Sequence, residues 1–312
     1  MSWFYEALMR AEGKPAGPDM AAVGTIDKDG DSFLGEIEAL SAAAVGNGQV
    51  RAERYAKPTA LEEIIPLPPR PGVNSAGFRL LTVAFREESR LVFHTDPLGI
   101  AAEQFRLLRR SLVQTFPRGA TLMITSPGAG DGKTLTALNL CACLTDGGDS
   151  TLLVEVDLRR PSVHRALGCT VEPPGVEDAL RGKETPEKTI HFIGDLGFHA
   201  AMVARIPKDP SHLLSGRGTK DLLAWARPRF RWIVFDTAPV MPNADVAELL
   251  PAVDAALLVI RVQATPKELA RRAFDVLGKR LHGVVLNEAN VSSTPYYRYL
   301  SDYYQPAANK GR

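Results

Sequence analysis

The stretch that decides the fold is Thr121-Leu-Met-Ile-Thr125-Ser126-Pro-Gly-Ala-Gly-Asp-Gly-Lys-Thr134-Leu135-Thr-Ala-Leu-Asn-Leu140. It reads as a short apolar strand, a glycine-rich turn and the first turns of a helix. Glycines let backbone N–H groups turn inward around phosphate oxygens, and the helix start adds partial positive charge. Gly128, Ala129, Gly130, Asp131, Gly132, Lys133, Thr134 and Leu135 are therefore the candidate nucleotide-binding residues. In such a loop the lysine reaches the β- and γ-phosphates and the threonine ligates Mg²⁺. The fit is one residue off: the first glycine of the G-x-x-x-x-G-K-T pattern would fall on Pro127, with Gly128 next to it.

Further apolar runs follow at Leu152–Val156, Trp232–Phe235, Ala256–Val262 and Gly283–Leu286. They alternate with helical stretches at Lys133–Leu144, Lys220–Arg227, Asn243–Leu250 and Lys267–Arg280. Short continuous Val/Ile/Leu strands between helices predict a doubly wound α/β domain, a mostly parallel sheet covered on both faces. Upstream, a strand pair is predicted at Leu80–Phe85 and Arg90–His94, then a helix from Asp96-Pro97 to about Gln114. In an open parallel sheet, ligands bind beyond the carboxyl ends of the strands. Two strands end there in acids: Glu155 and Asp157 in Leu152-Leu-Val-Glu-Val-Asp-Leu-Arg-Arg-Pro161, and Asp236 in Trp232-Ile-Val-Phe-Asp-Thr-Ala-Pro239. Two residues apart, Glu155 and Asp157 are predicted to share one side of the strand. All three acids are expected to converge on Mg²⁺ and the phosphates.

With 37 basic and 36 acidic residues among 312, the net charge of +1 argues against a general polyanion or nucleic-acid binder. No uncharged apolar run approaches the ~18–20 residues that span a bilayer. The start of the chain lacks a signal-peptide pattern, so a cytoplasmic protein is expected. Cys141, Cys143 and Cys169 read as reduced thiols rather than a disulfide or metal set. The chain divides into a short helix over 1–14, a disordered Pro/Gly/Ala-rich linker over 15–75, a P-loop domain over 76–290 including the helix 98–114, and a flexible tail over 291–312. Five of the seven tyrosines, Tyr296, Tyr297, Tyr299, Tyr303 and Tyr304, lie in that tail.

Ser126–Thr134, Leu153-Val-Glu-Val-Asp-Leu-Arg-Arg-Pro161, Val234-Phe-Asp-Thr-Ala-Pro-Val240, Glu103-Gln-Phe-Arg-Leu-Leu-Arg109 and the tyrosine cluster together resemble the bacterial tyrosine kinases of capsule and exopolysaccharide synthesis, built on the deviant P-loop ATPase fold. The resemblance covers about residues 96 to 304. It implies an ATP- and Mg²⁺-dependent autokinase that phosphorylates the five tail tyrosines in trans. Lys133 would neutralise the transferring phosphate, Thr134 and Asp236 would hold Mg²⁺ with Asp157 beside them, and Asp157 would orient or deprotonate the attacking tyrosine. A phenol with a pKa near ~10 needs such help at neutral pH. From Val291 to Tyr304 the tail spans at most ~45–50 Å, enough to reach a neighbouring subunit's site. Glu103, Arg106 and Arg109 match the family's oligomerisation motif and would make a homo-oligomer such as a ring. As partners, the resemblance implies a separate membrane polysaccharide co-polymerase, holding the protein at the inner membrane, and a phosphotyrosine phosphatase.

Glu155 stands where the family usually has aspartate. If it acts directly in catalysis, its additional methylene makes a weak kinase, and Glu155→Asp should raise autophosphorylation. Two other readings compete with an autokinase: an ATPase switch of the partitioning or site-placement type, and a catalytically weak regulator of polysaccharide assembly. The switch proteins carry an additional lysine in the loop where this chain has Gly128.

Overall fold

The computed structural model describes residues 77–85, 89–242 and 244–289. The helix expected over 1–14, the linker over 15–75 and the tyrosine tail lie outside these residues. Eight strands form one sheet in the order β1-β4-β5-β3-β6-β2-β7-β8. They are β1 (Arg79–Leu81), β2 (Ala120–Thr125), β3 (Thr151–Glu155), β4 (Ile190–Ile193), β5 (Phe198–Ala201), β6 (Trp232–Asp236), β7 (Ala255–Arg261) and β8 (Leu281–Asn287). Every pairing is parallel except β4 with β5.

Apolar residues at consecutive strand positions bury both faces of the sheet. In β6, Ile233 and Phe235 join one core, with Leu152 and Val154 of β3, while Trp232 and Val234 join the other, with Leu122 and Ile124 of β2. The second core includes Leu138, Cys141 and Leu144 of the helix α3 (Lys133–Asp146), which is buried on almost every side from Thr134 to Thr145. That all-round burial is why α3 carries no polar stripe.

The amino-terminal part of the domain departs from expectation. β1 is only three residues long, and the second strand expected at Arg90–His94 is instead a helical turn, α1 (Val92–Thr95). Asn139 of α3 explains the change: its Oδ1 accepts the Val92 N–H at 2.8 Å and its Nδ2 donates to the Arg90 carbonyl at 3.0 Å. These bonds satisfy backbone groups that a strand partner would otherwise have to meet. The next helix, α2 (Ile100–Thr115), begins after Gly99 rather than at Asp96. The β4–β5 hairpin had no clear sequence signal, because His191 and His199 interrupt its apolar runs.

His199 is 2% exposed and ringed by Phe78, Phe192 and Phe230, with centroids 4.7 to 5.1 Å away. Burial pushes its pKa down to about 4. A histidine kept neutral by the fold stabilises it above the unfolded value near 6.5, and that stability is lost as the pH falls from there toward 4. Urea unfolding at pH 7.5 and 5 should show His199→Phe losing less stability than wild type on acidification, by about 1–2 kcal/mol. Equal losses would show that His199 does not contribute to the acid sensitivity.

Among the described residues, no helix is long and apolar enough to cross a membrane.

Candidate active site

The site is assembled by three adjacent strand ends. Asp236, last in β6, is in register with Ile124 of β2 on one side and Glu155 of β3 on the other. Its carbonyl also accepts the N–H groups of Val156 and Asp157, at 2.8 and 3.1 Å, which draws the chain beyond β3 toward it. On the β2 side the phosphate loop is tied to the segment after β6, with Val240 N–H bonded to Ser126 O at 2.8 Å.

Within the loop, Gly130 and Gly132 adopt φ of 89° and 98°, the left-handed region where glycine is favoured. A Cβ on Gly132 would collide with the side-chain amide of Asn287, the last residue of β8. That amide donates to the Asp131 carbonyl at 2.9 Å. The Asp131 carboxylate accepts the Gly128 N–H at 3.0 Å and the Thr265 hydroxyl at 2.8 Å. The loop is therefore shaped by a chain of contacts from β8 and the turn between β7 and the helix Lys267–Leu277. Ser126 Oγ donates to Gly128 O at 2.6 Å, so the proline in place of the first glycine is accommodated without losing the turn.

Lys133, first residue of α3, reaches across to Asp157 at 3.0 Å. Burial opposes its charge, but the carboxylates of Asp236, Asp157 and Glu155 outweigh that and raise its pKa. The other oxygen of Asp157 accepts the Arg160 N–H at 3.1 Å. Both oxygens of Asp236 are buried without a hydrogen-bond partner. Burial pushes its pKa up to about 7; Lys133 and Thr134 oppose the shift, while Glu155 and Asp157 reinforce it. The Thr134 hydroxyl lies close to Asp236 and opposes that shift, and it is hydrogen-bonded with Ser162 Oγ at 2.9 Å. A buried acid with no partner, beside a lysine and a threonine hydroxyl at a helix start, fits a hydrated divalent cation on a phosphate group. Among the described residues no cluster of three His, Cys, Asp or Glu side chains forms a cation site.

Glu155 departs from the expected convergence. One of its oxygens accepts the N–H groups of Ser162 and Val163, at 2.6 and 2.8 Å, and the other accepts the Val203 N–H at 3.0 Å. Burial raises its pKa, against the pull of those three amides. The strand ends at Glu155, so its two-residue alternation does not carry through to Asp157, and the two carboxylates have separate partners.

Glu103, Arg106 and Arg109 lie on α2, where the structure gives each a partner in its own chain. Arg106 pairs with Glu103 at 3.2 Å, donates to the Pro97 carbonyl at 2.7 Å and sits over the Phe93 ring, while Arg109 donates to the Gly147 carbonyl at 3.0 Å.

Sequence reasoning missed Ser162, Thr265 and Asn287. Arg159 is bonded to buried Asp245 at 2.9 Å, which with Ser211 ties the chain after β3 to two further segments at the rim. Asn287 had one usable signal, a polar residue closing the Val-Val-Leu run of a core strand.

No protein-family model matches the chain. The tyrosine-protein kinase YwqD of Bacillus subtilis is 30% identical over 221 residues, covering 69% of this chain and 92% of YwqD. The chain belongs to the bacterial tyrosine kinases. A putative tyrosine-protein kinase in the cps region of Klebsiella pneumoniae is 30% identical over 220 residues, which is 68% of this kinase but only 30% of that longer protein. In three dimensions the kinase is similar to the kinase domain of Escherichia coli tyrosine kinase ETK, with a TM-score of 0.60 and 25% identity over 69% of this chain and 94% of that domain.

Proposed function

We propose that this tyrosine kinase transfers the γ-phosphoryl group of ATP to Tyr296, Tyr297, Tyr299, Tyr303 and Tyr304 of a neighbouring copy, and thereby regulates polysaccharide polymerisation and export. The observation that carries the reading is the Lys133–Asp157 pair set beside Asp236, whose two buried oxygens have no hydrogen-bond partner. Lys133 occupies the helix-start position from which a phosphate loop presents its lysine. When Lys133 moves to the phosphates it releases one oxygen of Asp157, leaving that acid free to accept the proton of an incoming tyrosine hydroxyl. Asp157 stays aimed through its bond to the Arg160 N–H. Thr134 and Asp236 would hold Mg²⁺, with Asp157 beside them, and the ion would neutralise charge on the phosphates. The backbone amides of Gly128 to Thr134 would cradle the phosphate oxygens.

The in-trans reaction calls for an assembly of copies, which we place at α2 through Glu103, Arg106 and Arg109. Leu98, 65% exposed just ahead of α2, adds an apolar contact to that face. A membrane polysaccharide co-polymerase as activator, a phosphatase that resets the tail, and a location at the cytoplasmic face of the inner membrane complete the reading. The Klebsiella relative in the cps region supports the polysaccharide context.

Incubation of the full chain with Mg²⁺-ATP, followed by mass spectrometry, should place phosphate on the tail tyrosines. ATP turnover with no phosphotyrosine would favour an ATPase switch instead.

A further inference from the structure

Two features around the end of β3 are explained together by one residue. Ser162 occupies the N-cap position of α4 (Val163–Leu167), yet its side chain makes no capping bond. A serine there ordinarily spends its oxygen on the first amides of its own helix. The buried Glu155 carboxylate receives the Ser162 and Val163 N–H groups, which precede the amides that a capping serine would take. Ser162 Oγ, which makes no capping bond, lies 2.9 Å from the Thr134 hydroxyl. The second oxygen of Glu155 binds the Val203 N–H beyond β5, so one side chain fixes three segments against the phosphate loop.

A hydroxyl has one proton and two acceptor lone pairs. If Thr134 gives its proton to Ser162 Oγ, both lone pairs are free and one can face a cation beside Asp236. We propose that Glu155 and Ser162 are positioning residues for the metal site: Glu155 holds Ser162 in place, and Ser162 accepts the Thr134 proton and so orients the Thr134 oxygen toward the cation. The inference rests on Thr134 being the metal-bearing hydroxyl. It gives Glu155 neither a ligand's role nor a base's, and it explains why glutamate serves here: aspartate is too short to reach all three amides. Outer partners of this kind typically alter metal affinity ~10- to 100-fold.

The test is Mn²⁺ affinity of the full chain in the presence of ADP, followed by electron paramagnetic resonance, with autophosphorylation and amide hydrogen exchange measured alongside. Ser162→Ala, a mild change, should weaken Mn²⁺ binding ~10-fold, with little change in melting temperature. Glu155→Asp should weaken it at least as much, speed exchange at the amides of 162, 163 and 203, and lower autophosphorylation. Glu177→Asp is the control. Glu177 is an equally buried glutamate that accepts the Ala204 and Arg205 N–H groups at 3.1 and 2.9 Å, so its shortening should cost stability without moving Mn²⁺ affinity. The proposal is overturned by unchanged Mn²⁺ binding in Ser162→Ala, by Glu155→Asp autophosphorylating as fast as wild type or faster, or by Glu177→Asp weakening Mn²⁺ equally. Because Mn²⁺ affinity is read without phosphoryl transfer, the result is independent of whether tyrosines are phosphorylated.

Discussion

Lys133→Met is expected to lower tail phosphorylation by ~10³-fold or more, because in phosphoryl transfer most of the acceleration comes from positioned charge on the transferring group. Methionine keeps the length of the lysine stem but removes its charge. The fold should survive, since Asp157 retains the Arg160 N–H. The same variant tests direction of transfer. Mixed with wild type, a Lys133→Met copy distinguished by mass should acquire phosphate on its own tyrosines if the reaction runs between copies. Phosphate confined to wild-type chains would refute transfer in trans. Lys133→Met activity within tenfold of wild type, measured alone, would remove the lysine from the chemistry.

Asp236→Asn should have two effects of opposite sign. Kinase activity should fall by roughly 10³-fold, because the neutral amide is a poor magnesium ligand. Stability without metal should behave differently. The carboxyl is raised from an ordinary 3.8 to about 7, chiefly by burial, so the folded protein binds a proton that the unfolded chain has already released. Stability from this group is therefore intact below about 4, falls as the pH rises toward 7, and levels off beyond. In EDTA, the wild type should lose about 1–3 kcal/mol relative to Asp236→Asn between pH 5 and 8, less than the full shift implies because Lys133 compensates part of the charge. Parallel stability curves for the two proteins would show that the carboxyl is not strained by burial. A Mg²⁺-ATP complex would offset that cost by mass action, so ligand should raise the melting temperature of wild type more than that of the variant.

Much of the site was legible because its chemistry is written in short segments. Ser126 to Thr134 announces a phosphate loop through residue type and order alone, and the consecutive parallel strands β3, β6, β2, β7 and β8 read as continuous apolar runs because both sheet faces are buried. Asp157 and Asp236 were found by their place just beyond or at the ends of those runs. Asn287 was not, since its value lies in a contact with Asp131 across 156 residues of chain. Nor was His199 recognised as a strand residue, because only the surrounding Phe side chains make a neutral histidine acceptable in the sheet interior. The helical turn at Val92–Thr95 was missed for a similar reason. Its β-branched and aromatic composition favours a strand, and the deciding amide of Asn139 comes from another element.

The amino-acid sequence by itself determined the phosphate loop, the parallel α/β core and the family, because each depends on local conformation: glycines that accept positive φ, and apolar strands too short for anything but a buried sheet. Which acid pairs with Lys133 was decided only by tertiary structure. Glu155 and Asp157 look equivalent by two-residue alternation, but that rule holds only while the strand continues, and β3 stops at Glu155. Past that point backbone amides brought in from the start of α4 and from beyond β5 occupy the Glu155 carboxylate, and Lys133 pairs with Asp157.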